Sequence, residues 1–201
     1  PLSRKDAEGY FVLVDTPEEA EAAVVFAESP LCDCYTQEDL DKGGNGYLPI
    51  TLQYRPYKAE AARPHSLARG DFREGDCDRT YINKENTPYN ASDLDNILTA
   101  RKAMGDKPVI VILQLHNPAV VAEFEQQTDG LIAHFGVENK VLMEILAGEA
   151  IPGGRLPLLL PASMETVEKH CEDVADDMEA YVDECGNRYV CGFGLNGDAL
   201  H

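Results

Sequence analysis

A stretch rich in carboxylic acids contains the residues best suited to proton transfer. Glu38, Asp39 and Asp41 lie close together, shortly after an apolar run that ends at Ala27. A carboxyl group in a loop over the edge of a sheet suits general acid catalysis, because partial burial raises its pKa. The alternative is a solvated acidic run without a catalytic role, and the residue types alone favour that alternative.

Glu28 differs from this acidic run because it directly follows the apolar residues 24–27. A carboxylate in that position is expected to be partly buried and therefore to have a partner. Pairing within the protein and contact with a ligand are equally good explanations of such a residue.

A glycine-rich segment, Lys-Gly-Gly-Asn-Gly, follows at residues 42–46. Its three glycines permit positive φ angles and a close approach of the backbone to a ligand. A nucleotide-binding P-loop is excluded, because the Gly-Lys-Ser/Thr ending and the strand-loop-helix context are missing. The alternative interpretation is a flexible turn that binds nothing.

Polar residues also follow a second apolar run. His116 and Asn117 come directly after the apolar residues 109–115 and precede Pro118. They can reach a ligand at the end of a buried strand, or Asn117 can cap a helix that begins at Pro118. We favour the helix cap, and we interpret His134, near the end of a further apolar run, as a core histidine.

The six cysteines show neither the spacing of a zinc site nor a recognisable pairing with a catalytic histidine. A chain of 201 residues does not need disulfide bonds to be stable. We therefore predict that most cysteines are free thiols, with Cys185 and Cys191 as the pair to test first for a bridge. No metal and no cofactor are predicted.

The charge of the chain excludes several classes of partner. Its 36 acidic and 17 basic residues give a formal net charge of −19. A surface this negative repels phosphate backbones and anionic membranes, so we predict no nucleic-acid and no membrane partner. No apolar run approaches the roughly 20 residues of a membrane span. Neutral ligands such as sugars are compatible with this charge.

The remaining apolar patterns predict the elements that position these residues. Buried strands are predicted at residues 10–14, 22–27, 109–115 and 130–135. Helices are predicted at residues 17–22, 92–104, 118–125 and 138–146. Thr16 and Ser92 are the predicted N-caps of the first two. The alternation indicates an α/β fold, with a mostly parallel sheet and helices on both faces.

Residues 30–88 lack this regularity and are predicted to form a long loop-rich insertion after the second strand. Their five tyrosines are too many for a disordered tract, so an ordered excursion is expected. The excursion starts at the carboxyl end of a parallel strand, which is the edge where such sheets bind ligands.

Several motifs occur in an order that resembles the C-terminal domain of the family 3 glycoside hydrolases, the β-glucosidase type. The motifs are Lys-Pro-Val-Ile-Val at 107–111, Asn117-Pro118, Asp129-Gly130, Leu-Ala-Gly-Glu-Ala at 146–150, Gly-Arg-Leu-Pro at 154–157, and Tyr189 followed by Gly-Phe-Gly-Leu at 192–195. Glu28-Ser29-Pro30, Tyr35-Thr36 and Lys42-Gly43 resemble the family's loop that leans over the sugar site. The resemblance runs from about residue 12 to residue 195.

The resemblance implies a three-layer α/β/α sandwich of about six strands that packs against a (β/α)8 barrel of the same parent protein. It implies retaining exo-hydrolysis of a β-linked glucoside or a related sugar through a covalent glycosyl-enzyme. The family's nucleophile is an aspartate on the barrel, and no matching segment occurs here. We therefore expect residues 1–201 to form one sandwich domain that is inactive in isolation. Because the chain opens at Pro1 without a methionine, we expect a piece of a longer protein.

The family's acid/base is commonly a glutamate in the loop after Glu-x-Pro, where the family often shows Tyr-Thr-Glu. This chain has Tyr-Thr-Gln-Glu-Asp at residues 35–39, which leaves Glu38, Asp39 and Asp41 as candidates, with Glu38 first. The candidate substrate contacts in the same loop are Glu28, Tyr35, Lys42 and Asn45. The tyrosine rings of residues 30–88 are further candidates for stacking on the sugar, and the alternative is that they belong to the hydrophobic core.

Other functions compete with the hydrolase interpretation. A freestanding sugar-binding or interaction module would keep the fold without catalysis. A flavodoxin-like nucleotide binder is disfavoured by the missing phosphate loop and the negative charge. The sequence leaves open the sugar, a homo-oligomeric state, and whether the protein acts in the cytoplasm or in the periplasm or medium of a bacterium.

Overall fold

The computed structural model describes residues 4–66, 78–171, 174 and 177–194. The α-helices in these ranges are α1 (Arg4–Glu8), α2 (Gln37–Asp41), α3 (Ser92–Met104), α4 (Asn139–Leu146) and α5 (Met164–Lys169). The strands are β1 (Ala23–Glu28), β2 (Tyr57–Lys58), β3 (Glu85–Asn86), β4 (Val109–Gln114) and β5 (Gly130–His134). Two 3₁₀ turns, Val121–Glu123 and Glu125–Gln127, follow β4.

The central sheet is parallel, and its strand order is β1-β4-β5. Val25 of β1 lies beside Val111 of β4, which lies beside Leu131 of β5. The predicted strands at 22–27, 109–115 and 130–135 are therefore confirmed within one or two residues. The predicted number of about six strands is too high, because the described part of the chain has a three-stranded parallel sheet and a short antiparallel pair, β2-β3.

Helices cover both faces of this sheet, as an α/β fold requires. On one face, Val111 and Leu113 belong to a core cluster with Leu94 and Ile97 of α3. On the other face, Ile112 packs with residues of α1 and α4, among them Leu142. Successive residues of β4 thus point into opposite layers, because side chains alternate along a strand. The predicted fold class is confirmed.

The predicted strand at residues 10–14 is wrong. The N–H groups of Tyr10 and Phe11 instead donate to Ala7 O, at 3.0 and 2.9 Å, and close the end of α1. Tyr10 and Leu13 then pack beside Ile112 on one face of the sheet. The apolar run covers the sheet rather than joining it, and periodicity cannot distinguish these two uses of a short apolar segment.

The predicted helix at residues 17–22 is also wrong, and Lys107 explains why. Lys107 Nζ donates hydrogen bonds to the carbonyl oxygens of Pro17, Glu18 and Ala20 at 2.7–2.9 Å. Residues 17–19 form a turn around this ammonium group. Carbonyl oxygens that point at a lysine are not aligned to accept intrahelical hydrogen bonds.

The predicted helix at residues 118–125 is replaced by the 3₁₀ turns, so the cap role predicted for Asn117 is wrong. Val120 N–H donates to Leu52 O at 2.7 Å, which pulls this segment onto the excursion. The Asn117 amide instead accepts a hydrogen bond from Ser29 Oγ and donates one to Pro30 O at 3.1 Å. Asn117 therefore joins the ends of two strands.

The helices predicted at 92–104 and 138–146 are confirmed as α3 and α4. The predicted cap Ser92 is the first helical residue of α3, and the cap position is Ala91, which makes no side-chain cap bond. Residues 153–156, which follow α4, form neither a helix nor a strand. Leu156 nevertheless exchanges backbone hydrogen bonds with the start of the Gly-Phe-Gly-Leu motif. Its N–H donates to Phe193 O, and its carbonyl oxygen accepts from Gly192 N–H, both at 2.7 Å.

The cysteines inside the described ranges, namely Cys32, Cys34, Cys171, Cys185 and Cys191, are all free thiols. The proposed Cys185–Cys191 bridge is therefore not formed, and Cys77 lies outside these ranges. None of the described helices is long and apolar enough to cross a membrane.

Candidate functional site

The candidate site begins where β1 ends. Glu28 is the last residue of β1, and its carbonyl oxygen accepts hydrogen bonds from Tyr54 OH at 2.6 Å and Asn90 Nδ2 at 3.0 Å. Ser29 is fully buried directly behind it. The backbone at this edge is therefore fixed by side chains from the excursion and from the start of α3.

The Glu28 carboxylate contacts His116, with 3.2 Å between Oε2 and Nε2. About 51% of the Glu28 side chain is exposed, so it is less buried than its position after an apolar run led us to expect. In the described part of the chain β1 lies at the edge of the sheet, and Phe26 and Val24, two and four residues before Glu28 on the same face, are also exposed. The expectation that Glu28 has a partner is met by His116, which follows β4.

The segment 37–41, which contains Glu38, Asp39 and Asp41, forms the short helix α2. Thr36 is its N-cap, and Thr36 Oγ1 accepts a hydrogen bond from Asp39 N–H at 3.2 Å. Glu38 and Asp39 lie in the first turn, where the positive end of the helix dipole favours carboxylates. A threonine cap followed by acidic residues thus gives the helix a defined start.

Two of the three candidate acids have exposed side chains that pair within α2 or just beyond its end. Glu38 forms an ion pair with Lys42 at 2.6 Å, and both side chains are about three-quarters exposed. Asp41 accepts a hydrogen bond from Gln37 Nε2 at 3.0 Å. Exposed pairs of this spacing stabilise a helix only slightly, so they hold Glu38 and Asp41 weakly.

Asp39 is held differently from its neighbours. Its Oδ2 atom accepts hydrogen bonds from Lys84 Nζ at 2.6 Å and from Gly46 N–H at 2.7 Å. The hydrogen bond from Lys84 holds the pKa of Asp39 below its ordinary value, and the Gly46 N–H acts in the same direction. Asp39 is therefore an ionised anchor of the loop in this structure.

Asn45 completes this anchor. Its Oδ1 atom accepts from Lys84 Nζ at 2.6 Å, and its Nδ2 atom donates to the carbonyl oxygens of Asp78 and Thr80 at 2.6 and 2.7 Å. Both ends of the amide are engaged within the protein. The role of Asn45 as a sugar contact remains a prediction.

The glycines of residues 42–46 approach the protein itself. A Cβ atom at Gly44 would overlap the carboxylate of Asp39. Gly46 has φ +84°, and a Cβ atom there would lie 2.5 Å from the ring of Tyr35. Tyr35 in turn packs edge-to-face against Tyr47, with 5.1 Å between ring centroids. The backbone of the glycine segment therefore packs closely against the side chains of Asp39 and Tyr35, where a larger residue would not fit.

A cleft of about 380 Å³ lies beside α2. Its lining residues are Thr36, Glu38, Asp39, Lys42, Leu48, Lys84 and Glu85. The cleft thus contains two of the predicted acids and Lys42. Its charges are mixed, and a neutral polar ligand is compatible with such a lining.

The five tyrosines of the excursion have different roles. Tyr54 is fully buried in the main core cluster, which is the structural role considered for it. Tyr57 and Tyr81 donate hydrogen bonds to Glu168 of α5, at 3.1 and 3.5 Å. Tyr35 is 46% exposed and is the ring best placed to meet a ligand.

Sequence reasoning missed Lys84 and Glu168. Lys84 lies 45 residues from Asp39, and no local pattern connects a single lysine with a distant aspartate. Burial raises the pKa of Glu168, whose carboxylate faces a second cavity of about 270 Å³ shared with Arg63 and His170. Within the described ranges, no cluster of three or more His, Cys, Asp or Glu side chains is arranged to hold a metal ion.

Comparison with known protein families gives a match along most of the chain. The family model for the glycosyl hydrolase family 3 C-terminal domain matches residues 9–197. This range includes α2, the glycine segment, the parallel sheet and the excursion. The match is to a domain family, and it covers every described residue discussed above at the candidate site.

Individual proteins match over shorter segments. The chain is 35% identical over 78 residues to a protein named beta-glucosidase C from Emericella nidulans, and 37% identical over 70 residues to a probable beta-glucosidase C from Aspergillus flavus. It is 30% identical over 76 residues to a periplasmic beta-glucosidase/beta-xylosidase from Dickeya chrysanthemi. These segments cover 39%, 35% and 38% of this chain, but only 13%, 11% and 12% of the relatives.

Proposed function

Because this chain belongs to the family of glycosyl hydrolase family 3 C-terminal domains, we propose that it forms one wall of the sugar site of a retaining, exo-acting β-glycosidase. The other wall is a (β/α)8 barrel of the same parent protein, which supplies the aspartate nucleophile. The substrate is a β-linked glucoside or a related sugar. The chain acts as a single sandwich domain, with residues 30–88 as an insertion beside the sugar.

The observation that carries this proposal is the cleft beside α2, which contains Glu38. Glu38 is the proposed acid/base, because its carboxylate is exposed and its ion pair with Lys42 is easily exchanged. Docking of a barrel over this cleft would exclude water from Glu38 and place its carboxyl group beside the leaving-group oxygen of the sugar, as general acid catalysis requires. In a retaining enzyme its carboxyl group would lie about 5–5.5 Å from the nucleophile.

The other candidate acids fit this role less well. Asp39 accepts two hydrogen bonds that stabilise its ionised form, and its lowered pKa disfavours proton donation near neutral pH. Asp41 does not line the cleft beside α2. We therefore assign Asp39 to the anchoring of the loop, and we keep Asp41 as the alternative to Glu38.

Among the proposed sugar contacts, Tyr35 offers an exposed ring face and Lys42 an ammonium group beside Glu38. Glu28, with its partner His116, offers a half-exposed carboxylate at the end of β1. Carboxylates and aromatic rings are the groups that hydrogen-bond and stack on neutral sugars. Asn45 would contribute through the shape of the loop, given its four hydrogen-bonded neighbours.

The test compares Glu38→Gln with Asp41→Asn in the intact protein that carries this domain. Turnover is measured on a phenyl β-glucoside, whose leaving group needs protonation, and on a dinitrophenyl β-glucoside, whose leaving group does not. Glu38→Gln should lower kcat/KM for the phenyl substrate about 10²–10⁴-fold and kcat/KM for the dinitrophenyl substrate far less, because kcat/KM reports the step in which the leaving group departs. On the dinitrophenyl substrate, azide should restore kcat by attacking the glycosyl-enzyme in place of the water that Glu38 activates, giving a glycosyl azide.

Equal turnover of the phenyl substrate by Glu38→Gln and by the wild type would contradict this assignment. If Asp41→Asn then showed the leaving-group dependence, Asp41 would be the acid/base. If neither variant changed turnover, a sugar-binding or interaction module would be the better interpretation. The chain alone should not hydrolyse either substrate, because the proposed nucleophile belongs to the barrel.

A further inference from the structure

Lys84 is the centre of a small network that ties the two ends of the excursion together. Its Nζ atom donates hydrogen bonds to Asp39 Oδ2, Asn45 Oδ1 and Tyr47 O, at 2.6, 2.6 and 2.9 Å. An ammonium group has three N–H bonds, so all of its donors are used. About 23% of the Lys84 side chain and 19% of the Asp39 side chain are exposed, so this ion pair is largely shielded from water.

The network attaches α2 to the rest of the loop through Asp39, whose side chain points away from solvent. Asp39 is the acceptor for Lys84 and for Gly46 N–H, while its own N–H donates to the cap residue Thr36. Asp39 is thus bound at both its backbone and its carboxylate. Among the described residues, the partner that fixes the direction of the neighbouring Glu38 carboxylate is Lys42, through an exposed ion pair. The orientation of Glu38 therefore depends on how Asp39 is held.

Geometry makes this dependence strong. Successive residues of an α-helix are rotated by about 100° around its axis, so Asp39 and Glu38 point in different directions from the same short helix. A helix of five residues has too few internal hydrogen bonds to be stable by itself. If Asp39 is released, α2 can rotate or unwind, and Glu38 then leaves its position in the cleft.

We propose that Lys84 is a positioning residue, which orients α2 through Asp39 and thereby sets the proton-transfer geometry of Glu38. This inference rests on the proposed function of Glu38. A largely desolvated ion pair contributes little net stability, because desolvation of the two charges offsets their attraction. The ion pair instead selects one arrangement of the loop, because a single ammonium group must contact acceptors from three different residues at the same time.

The chemistry of lysine suits this role better than that of arginine. The three acceptors converge on a single nitrogen atom, Lys84 Nζ. A guanidinium group presents its donors as a planar fork, so it cannot reproduce three short contacts to one point. Lys84→Arg should therefore retain the charge and still lose most of the positioning.

The experiment uses the intact protein with Lys84→Met, Lys84→Arg, Asp39→Asn and the double variant Lys84→Met/Asp39→Asn. The matched control is Lys58→Met, which removes an exposed lysine of the same excursion whose partner is Glu60. Turnover is measured on phenyl and dinitrophenyl β-glucosides. Amide hydrogen exchange over residues 36–47 reports the order of the loop independently of catalysis.

Lys84→Met should lower kcat/KM for the phenyl substrate about 10–100-fold, because a misplaced Glu38 loses part of its effect as a general acid. It should leave kcat/KM for the dinitrophenyl substrate nearly unaffected, because that leaving group needs no proton. Lys84→Arg should show most of this loss. The double variant should be no worse than the single variants, since the two residues act as a unit. Exchange should accelerate over residues 36–47 and remain unchanged in β4 and β5.

Equal losses of kcat/KM on both substrates would overturn the proposal, because they would indicate general destabilisation. Wild-type exchange rates over residues 36–47 in Lys84→Met would overturn it as well. Glu38→Gln, assayed in parallel, keeps the two claims apart. If Glu38→Gln leaves the phenyl substrate unaffected, the proposed function fails, whereas a leaving-group effect in Glu38→Gln that is missing in Lys84→Met refutes only the role of Lys84.

Discussion

Ser29 Oγ donates a hydrogen bond to Asn117 Oδ1, at 2.5 Å, and so joins the loops that follow β1 and β4. The same hydroxyl oxygen accepts a hydrogen bond from His116 N–H at 3.0 Å. Ser29 is fully buried, so water cannot replace either bond. This link holds the carboxyl ends of two neighbouring strands together and keeps His116 beside Glu28.

Ser29→Ala should lower the free energy of unfolding by about 1–3 kcal/mol, because it leaves the Asn117 acceptor and the His116 donor without a buried partner. Denaturant unfolding of the two proteins measures the change. Ser92→Ala is the matched control, since Ser92 is exposed at the start of α3 and forms no cap hydrogen bond. It should change stability by less than about 0.5 kcal/mol. Equal effects of both substitutions would contradict the linking role of Ser29.

Lys107→Met should release the turn at residues 17–20. Lys107 Nζ satisfies three carbonyl oxygens there, and methionine keeps the apolar stem but donates no hydrogen bond. We expect a loss of about 1–3 kcal/mol, since hydrogen bonds from a charged donor are stronger than neutral ones. Exchange of the amides near residues 16–20 should also accelerate. Lys102→Met, which removes an exposed lysine of α3, should have neither effect.

Lys107 also shows why part of the fold could not be predicted. The sequence around residues 16–19 has the spacing of a capping box, and Thr16 Oγ1 does donate to Glu19 at 3.2 Å. A lysine 87 residues beyond Ala20 nevertheless bends this segment into a turn. The strands β1, β4 and β5 were predictable because their apolar runs need no distant partner to be recognised.

At the candidate site, too, features with a local sequence signal could be predicted, whereas features set by a distant residue could not. The acidic helix, the glycines and the carboxyl edge of β1 were predictable, because each carries a local signal in residue type or spacing. The assignment of Asp39 to anchoring was not, because it depends on Lys84 at the far end of the excursion. Glu28 is more exposed than expected, because sequence does not reveal which strand lies at the edge of the described sheet.

Glu168 gives the chain a pH-dependent contact between the excursion and α5. Its carboxylate accepts hydrogen bonds from Tyr57 OH and Tyr81 OH at 3.1 and 3.5 Å. Burial is the main reason that the pKa of Glu168 lies above its ordinary value, and the tyrosine hydroxyls offset this only in part. The folded state therefore binds a proton at Glu168 more tightly than the unfolded state does.

The sign of the stability effect follows from this difference. A raised folded pKa stabilises the protein fully below the ordinary pKa of glutamate, and this contribution is lost as pH rises through the folded pKa. Glu168→Gln does not titrate at this position, so its stability relative to the wild type should increase as the pH rises above the ordinary pKa of glutamate. Thermal or urea unfolding across this range measures the trend. Glu165→Gln is the control, because Lys169 lowers the pKa of the exposed Glu165, so any change should be small and of opposite sign.

Gly43 and Gly46 provide a matched pair, because both have φ +84° but only Gly46 faces another group closely. Gly43→Ala should cost about 1–2 kcal/mol from left-handed backbone strain alone. Gly46→Ala should introduce the same backbone strain and also push the Tyr35 ring away from Tyr47. The lost edge-to-face contact should lower the free energy of unfolding by a further 0.5–1.5 kcal/mol or so. In a Tyr35→Ala background the two alanine substitutions should differ much less, with a small remainder from Leu40 Cγ, which would lie 3.2 Å from the added Cβ at Gly46. Unfolding experiments on the double variants would measure this. A larger cost of Gly46→Ala that persists without the Tyr35 ring would instead place the strain in the hydrogen bond between Gly46 and Asp39.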